Sequence, residues 1–357
     1  MPPFSTPAYS NTAFAILGYV IENLTGKSFS DAFDEYLAEP LDLKSTTPLP
    51  PLDFDSTVVP TTMSLYNQTF GEYPPAGGFF SSINDMTKIG RSILNSTLLT
   101  PAETGRWLKP QTFTSDVNVS FGAPWEIFRA PSQRVSYMYT KAGGLLQYAS
   151  HIVLIPDYGV GFTVLAAGPT SALATIQVNN LVVEAFYPAL DAAARAQAEV
   201  NFAGQYKYPD PEVNTSVTLG LDDRPGLAVQ QFILNGTNVL AATKAAVASQ
   251  TTLGNLTADE GDDESGFLRL YPSGLEATDP DGVTSRVAFR AVSDMPALPI
   301  EPGPFTTSCT AALTLGGYVY SLVAADEVVF NLNEEGIAIS GEPRILRQEP
   351  YVRVDVP

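Results

Sequence analysis

Few side chains in this sequence are equipped for covalent or acid–base chemistry, and their spacing removes most of the usual schemes. The single histidine, His151, lies in the apolar run YASHIVLIP, a setting that favours a packed strand residue over a general base. No Gly-x-Ser-x-Gly turn accompanies it, so a Ser-His-Asp hydrolase is not supported. His151 and the lone Cys309 are far apart and cannot make an ordinary zinc site, and no metal or cofactor is expected. The glycine pairs of PAGG and KAGG do not lead into Gly-Lys-Ser/Thr, so neither is a phosphate loop. What remains is a turn carrying Tyr9 and Asn11, and a lysine, Lys141, directly before Ala142, Gly143 and Gly144. Taken alone, Tyr-x-Asn carries no weight: with 16 tyrosines one occurrence is expected by chance.

The elements around these residues can be read from periodicity and caps. Residues 12–25 place Phe14, Ile16, Leu17, Val20, Ile21 and Leu24 on one helical face, with Gly26 as the stop. Ser28 and Asp31 cap a second helix that Pro40 should close. Ser82 and Asp85 cap a third, after a glycine turn in PPAGG, and Thr100, Pro101 and Glu103 start a fourth. From about residue 120 the stretches APWEIFRA, YMYTKAGG, YASHIVLIP and GVGFTVLAAG read as strands, followed by a long helix from Thr170. The expected fold class is therefore α+β for residues 1–200, with antiparallel strands and helices. Residues 201–357 alternate at short spacing, as in FAGQYKYP, LAVQQFILNG, GFLRLYPSG, SRVAFRAV and YVYSLVAADEVVFNLN, and predict a separate all-β sandwich or barrel. The acidic run 257–266 reads as a solvated loop.

Charge narrows the partners. With 38 acidic and 19 basic residues the net charge is −19, which disfavours nucleic acid and an anionic membrane surface. No apolar run reaches the roughly 18 residues of a membrane span. Seven Asn-x-Ser/Thr acceptors, at Asn23, Asn67, Asn95, Asn118, Asn214, Asn235 and Asn255, point to a secreted protein. The opening MPPFSTPAYS has no basic start and no apolar core, so it is not a signal peptide. Nothing in the sequence sets an oligomeric state.

The segments YSNTAFAILGYVIENLTGKSF, EPLDLKSTTP, PPAGGFFSSINDMTKIGRSIL and KAGGLLQYASHIVLIPDYGVGFTVLAAG resemble, in this order and spacing, the serine β-lactamase and penicillin-binding-protein superfamily. The resemblance is to its class C and esterase-like branch and covers residues 1 to about 200. The β-rich tail resembles the accessory C-terminal domain of secreted fungal members. The resemblance implies acyl transfer through a serine ester, with a small-molecule ester or amide as substrate. It nominates Tyr9 as the phenolate base, held at low pKa by neighbouring lysines, and Asn11 as the group orienting the substrate amide. It places Lys141 on an edge strand beside the tyrosine and gives the N–H of Gly144 to the oxyanion hole, with Ala142 and Gly143 lining the substrate.

Two departures qualify what is implied. Ala142 stands where the superfamily often has a threonine that grips a β-lactam carboxylate, which argues against antibiotic hydrolysis and for esters or amides lacking that group. The Ser-x-x-Lys that would put hydroxyl and amine one helical turn apart is absent: the residues three before each lysine are Leu24, Leu41, Asp85, Arg106, Met138, Gly204 and Ala241. The expectation is an N-terminally truncated hydrolase, inactive as written, whose nucleophile helix and signal peptide precede TPAYSN. The alternative is a non-catalytic ligand- or glycan-binding protein on the same fold.

Overall fold

The computed structural model describes residues 8–51, 55–60, 74–132, 134–250, 267–280, 284–293, 315–316 and 319–354. Cys309, the run 257–266, Asn67 and Asn255 lie outside them. The chain divides into two compact units, Met1–Asp191 and Ala192–Pro357.

In the first unit the caps set the helices. Helix α1 (Asn11–Thr25) begins where Ser10 Oγ accepts from the Ala13 N–H at 3.1 Å and ends at Gly26, whose φ of 67° closes the turn onto Glu22. Helix α2 (Phe29–Phe33), capped by Ser28, does not stop before Pro40. It runs through a π-turn at Asp34–Ala38 into α3 (Glu39–Leu41), with Pro40 inside, and ends at Asp42 in the left-handed region. A proline ring clashes with the carbonyl four residues back, and the widened π-turn relieves that clash. The PPAG expected to be a turn is a short helix, α4 (Pro74–Gly77). Helix α5 (Ile83–Leu94) is capped by Ser82, and α6 (Pro101–Trp107) by a complete Thr100–Glu103 capping box.

The apolar arc expected to bury α1 is not the face it buries. Ala15 and Gly18 are inside, while Ile16, Leu17, Val20, Ile21 and Leu24 are exposed. Gly18 shows why: a Cβ there would sit 2.4 Å from Pro75 Cγ, so α1 lies on α4 by its small-residue face.

The sheet of this unit is antiparallel, in the order β1 (Thr112–Phe113), β2 (Val119–Phe121), β3 (Glu126–Arg129), β4 (Tyr137–Leu145), β5 (Tyr148–Ile155) and β6 (Val160–Ala167). The last four match the strands expected from alternation; β1 and β2 are short and were not. Behind the sheet, Leu108, Trp125, Ile127 and Leu154 form one core cluster and Ala130, Val153, Ile155 and Tyr187 another. Helix α7 (Ser171–Phe202) follows β6, and the division between the units falls within it. Its buried residues are Ser171, Thr175, Asn179 and Tyr187, whereas Leu173, Ile176, Leu181 and Phe186 are exposed.

The second unit is a barrel. Its strands are β7 (Gly204–Lys207), β8 (Ser216–Gly220), β9 (Leu227–Leu234), β10 (Thr237–Asn238), β11 (Leu268–Thr278), β12 (Thr284–Ser293), β13 (Val319–Tyr320), β14 (Val323–Ala324), β15 (Glu327–Leu332), β16 (Ala338–Pro343) and β17 (Tyr351–Arg353), with helix α8 (Leu240–Gln250) after β10. The order β9-β11-β12-β15-β16-β17-β7-β8 closes through a β8–β9 pairing into an 8-stranded ring, with β10 appended to β9 and β13–β14 a separate pair. Closure removes the exposed edges that an open sheet would leave. Tyr206, Leu219, Val229, Leu270, Phe289, Phe330 and Tyr351 are among the residues that make its buried core. Arg269, buried with them, donates to both oxygens of Asp222 at 2.7 Å and to the Pro225, Arg224 and Gly226 carbonyls.

Candidate active site

The site residues lie on one turn and one half-strand. Strand β3 pairs with β4 only from Arg129↔Tyr137 to Glu126↔Thr140. Pro124, two residues earlier, has no N–H to offer a ladder, so the pairing does not extend further. Strand β4 is thus interior over Tyr137–Thr140, not an edge strand as expected. Its second half is paired with β5 alone among the described residues, through Lys141↔Ile152, Ala142↔His151, Gly143↔Ser150 and Gly144↔Ala149. The open half begins at Lys141.

Along that open edge stands a carboxylate. Glu126 Oε1 accepts from Lys141 Nζ at 2.5 Å and its Oε2 from the Ala142 N–H at 3.2 Å, while Lys141 Nζ also donates to the Ala142 carbonyl at 2.9 Å. The Ala142 N–H therefore points away from β5. A strand repeats every two residues, so the Gly144 N–H points to the same open side. Gly143 faces the other way and leaves room for β5: a Cβ on it would lie 2.4 Å from Ser150 Oγ.

Tyr9, 74% exposed, places its ring 5.6 Å from Lys141 Nζ, within cation–π range. Asn11, the first residue of α1, is exposed on the same turn. The structure thus brings Tyr9 to Lys141 and sets Ala142 and Gly144 along the adjoining edge; Asn11 shares only the turn. A cleft between α1, Ser28–Ser30 and Pro74–Pro75 contains none of these groups. Among the described residues no cluster of His, Cys, Asp and Glu is arranged to hold a metal ion.

Glu126 was not singled out from sequence. The available signal was an acid on the strand just before the one carrying a lysine, a pattern that yields cross-strand ion pairs. His151, opposite Ala142, packs against α7, where it shares a hydrogen bond with Asn179 through Nδ1. Burial lowers its pKa, with smaller opposing effects of Glu126, which raises it, and Lys141, which lowers it.

Residues 2–184 match the family described as Beta-lactamase. The chain belongs to the β-lactamase family. Its residues 194–352 match a second family described as Beta-lactamase-like-like, C-terminal domain. A Beta-lactamase-like protein of Arthroderma benhamiae is 29% identical, over 95% of this chain and 59% of that protein. Probable hydrolase M10 of a Phoma species is 27% identical, over 70% of this chain and 42% of its own length. The D-alanyl-D-alanine-carboxypeptidase/endopeptidase AmpH of Escherichia coli is 26% identical, over 51% of each. The β-lactamase-family chain described here therefore spans 42% to 59% of these relatives' lengths. Among solved structures, a D-amino acid amidase from Ochrobactrum anthropi gives a TM-score of 0.43 at 17% identity, over 54% of this chain and 62% of that one.

Proposed function

We propose that the first unit carries the base and oxyanion-hole half of a serine acyl-transfer site for a small-molecule ester or amide. The observation that carries this reading is the Tyr9 ring over Lys141 Nζ at the mouth of the open half of β4. In this scheme a serine hydroxyl attacks the substrate carbonyl, Tyr9 Oη takes its proton, and the Gly144 N–H receives the oxyanion. Lys141 supplies positive charge beside the tyrosine, and Glu126 fixes where that charge sits. The amide and peptide bonds cleaved by a carboxypeptidase/endopeptidase relative support this substrate class. Ala142 offers no hydroxyl for a substrate carboxylate, which favours substrates without one.

The sequence contains no Ser-x-x-Lys to provide the nucleophile. The 357-residue chain by itself should hydrolyse neither nitrocefin nor a p-nitrophenyl ester above the uncatalysed rate, because no acyl-enzyme forms without the attacking oxygen. Turnover that a serine-directed acylating agent abolishes would overturn that expectation.

A further inference from the structure

We propose that Asn95, Asn118, Asn214 and Asn235 are N-glycosylation sites, occupied while the chain is being made and carried on exposed turns of the folded protein. Each opens an Asn-x-Ser/Thr acceptor, and in the structure each ends on an exposed turn. Asn95 ends α5, followed by Ser96 at φ 52°. Asn118 sits in a turn closed by the Val119 N–H on the Asp116 carbonyl. Asn235 and Gly236, at φ 48° and 80°, form the two-residue turn between β9 and β10, where the Gly236 N–H reaches the Asn214 carbonyl at 2.7 Å. All four side chains are exposed. By contrast, asparagines outside the motif include Asn179, buried on His151, and Asn331 and Asn333, half-buried and bonded to Ser340 Oγ and the Ile337 N–H.

The folded geometry also sets the timing. Ser120 and Ser216, the motif hydroxyls for Asn118 and Asn214, are buried, so a transferase could not read them after folding. Transfer must come first, and only an asparagine that ends exposed can then carry the sugar into the fold. The carboxamide nitrogen bonds to the anomeric carbon of a lipid-pyrophosphate-linked oligosaccharide. That carbon's bond to the pyrophosphate oxygen breaks with its electron pair, and the nitrogen's proton passes to a base of the transferase. The nitrogen keeps one N–H. In Asn118 the carboxamide N–H now donates to Asp116 Oδ1 at 3.1 Å, and the remaining hydrogen can preserve that bond. Asn23 is also exposed but lies within α1 and not on a turn, and it is not part of this proposal.

None of the four sites falls in the Tyr9–Asn11 turn, at Glu126 or on β4, so this inference stands apart from the acyl-transfer reading. The test is to direct the full chain through the secretory pathway of a eukaryotic host. The product is treated with a glycan-releasing amidase in heavy-oxygen water and its peptides are mapped by mass spectrometry. Isotope-labelled Asp is expected at all four positions, and at none in the chain made in the cytosol. Thr97→Ala and Thr237→Ala, which keep the asparagine but remove the exposed motif hydroxyl, should lose the label at Asn95 and Asn235 alone. A site that stays unlabelled in the secreted chain is withdrawn, and four unlabelled sites overturn the proposal.

Discussion

The Glu126–Lys141 pair can be weighed directly, because removing either partner perturbs a defined set of bonds. The two side chains are 26% and 27% exposed with N···O at 2.5 Å. At an effective permittivity of 20 that separation corresponds to about 7 kcal/mol of attraction before desolvation. Dehydrating two partly buried charges cancels most of it. Fully exposed pairs net about 0–1 kcal/mol and breaking a buried pair costs about 3–5 kcal/mol, so a coupling of about 1.5 kcal/mol is expected for this intermediate case. Glu126→Gln, Lys141→Met and the double variant form the cycle. Both tryptophans, Trp107 and Trp125, lie in the Met1–Asp191 unit with ring centroids 4.9 Å apart, so tryptophan emission in urea reports that unit without the barrel. With a slope of about 2 kcal/mol/M, the coupling corresponds to about 0.8 M in midpoint. Raising the salt should shrink it only in part, since neither group is fully solvated. A coupling inside the roughly 0.4 kcal/mol scatter of independent sites would refute the reasoning, and with it the role of Glu126 in fixing the ammonium.

His151 gives a pH test with a definite sign: its folded pKa is lowered by burial, so below about 6.5 the unfolded chain takes a proton that the folded chain refuses. Stability of the first unit should therefore fall as pH drops through that value, and His151→Phe should flatten the urea midpoints between neutral and mildly acidic pH. In the barrel, Arg269→Met takes the bidentate partner from Asp222, which keeps Arg224, and removes the donor from three carbonyls; it should cost about 3 kcal/mol, the low end for breaking a buried pair, read from the β-sheet circular dichroism transition. Arg269 holds the Asp222 carboxyl below the usual carboxylate range, so the wild-type advantage over this variant should be full above that range and shrink as acid protonates the aspartate. Gly18→Val drives side-chain atoms into Pro75 and should lower the tryptophan-monitored midpoint by about 1–3 kcal/mol equivalent; an unchanged midpoint would show that α1 does not rest on α4 in solution.

Local signals carried much of this fold. Ser28, Ser82 and the Thr100–Glu103 box cap helices as expected, because a side-chain acceptor beside orphan N–H groups is a short-range device. Strands β3 to β6 followed from alternation. Barrel closure did not, since it depends on which distant strands meet, here β8 with β9 and β7 with β17. Strand β16, AISGEP, carries little strand signal, because Gly341 and Pro343 interrupt its apolar alternation. At the site, Tyr9 and Lys141 were named from the motif order, yet their meeting rests on Glu126. That residue is legible only once β3 and β4 are in register.

The two helices whose buried face was not the apolar one make the same point about packing. Hydrophobic periodicity reports where a helix is, and it predicts the buried face only when apolar area decides the contact. In α1 the contact is decided by proximity, with Gly18 letting the backbone down onto Pro75. In α7 the buried stripe is Ser171, Thr175 and Asn179, at four-residue spacing, and Asn179 meets the His151 ring of β5. Among the described residues Thr175 Oγ1, Asn179 Oδ1 and His151 Nε2 are buried without a partner, so the Asn179–His151 bond is what offsets the burial of this polar stripe, while Leu173, Ile176 and Leu181 stay exposed. That one bond ties α7 to β5, and through Ala142↔His151 it acts one strand away from the open edge carrying Lys141 and Gly144, so a change at Asn179 should reach the candidate site by way of β5.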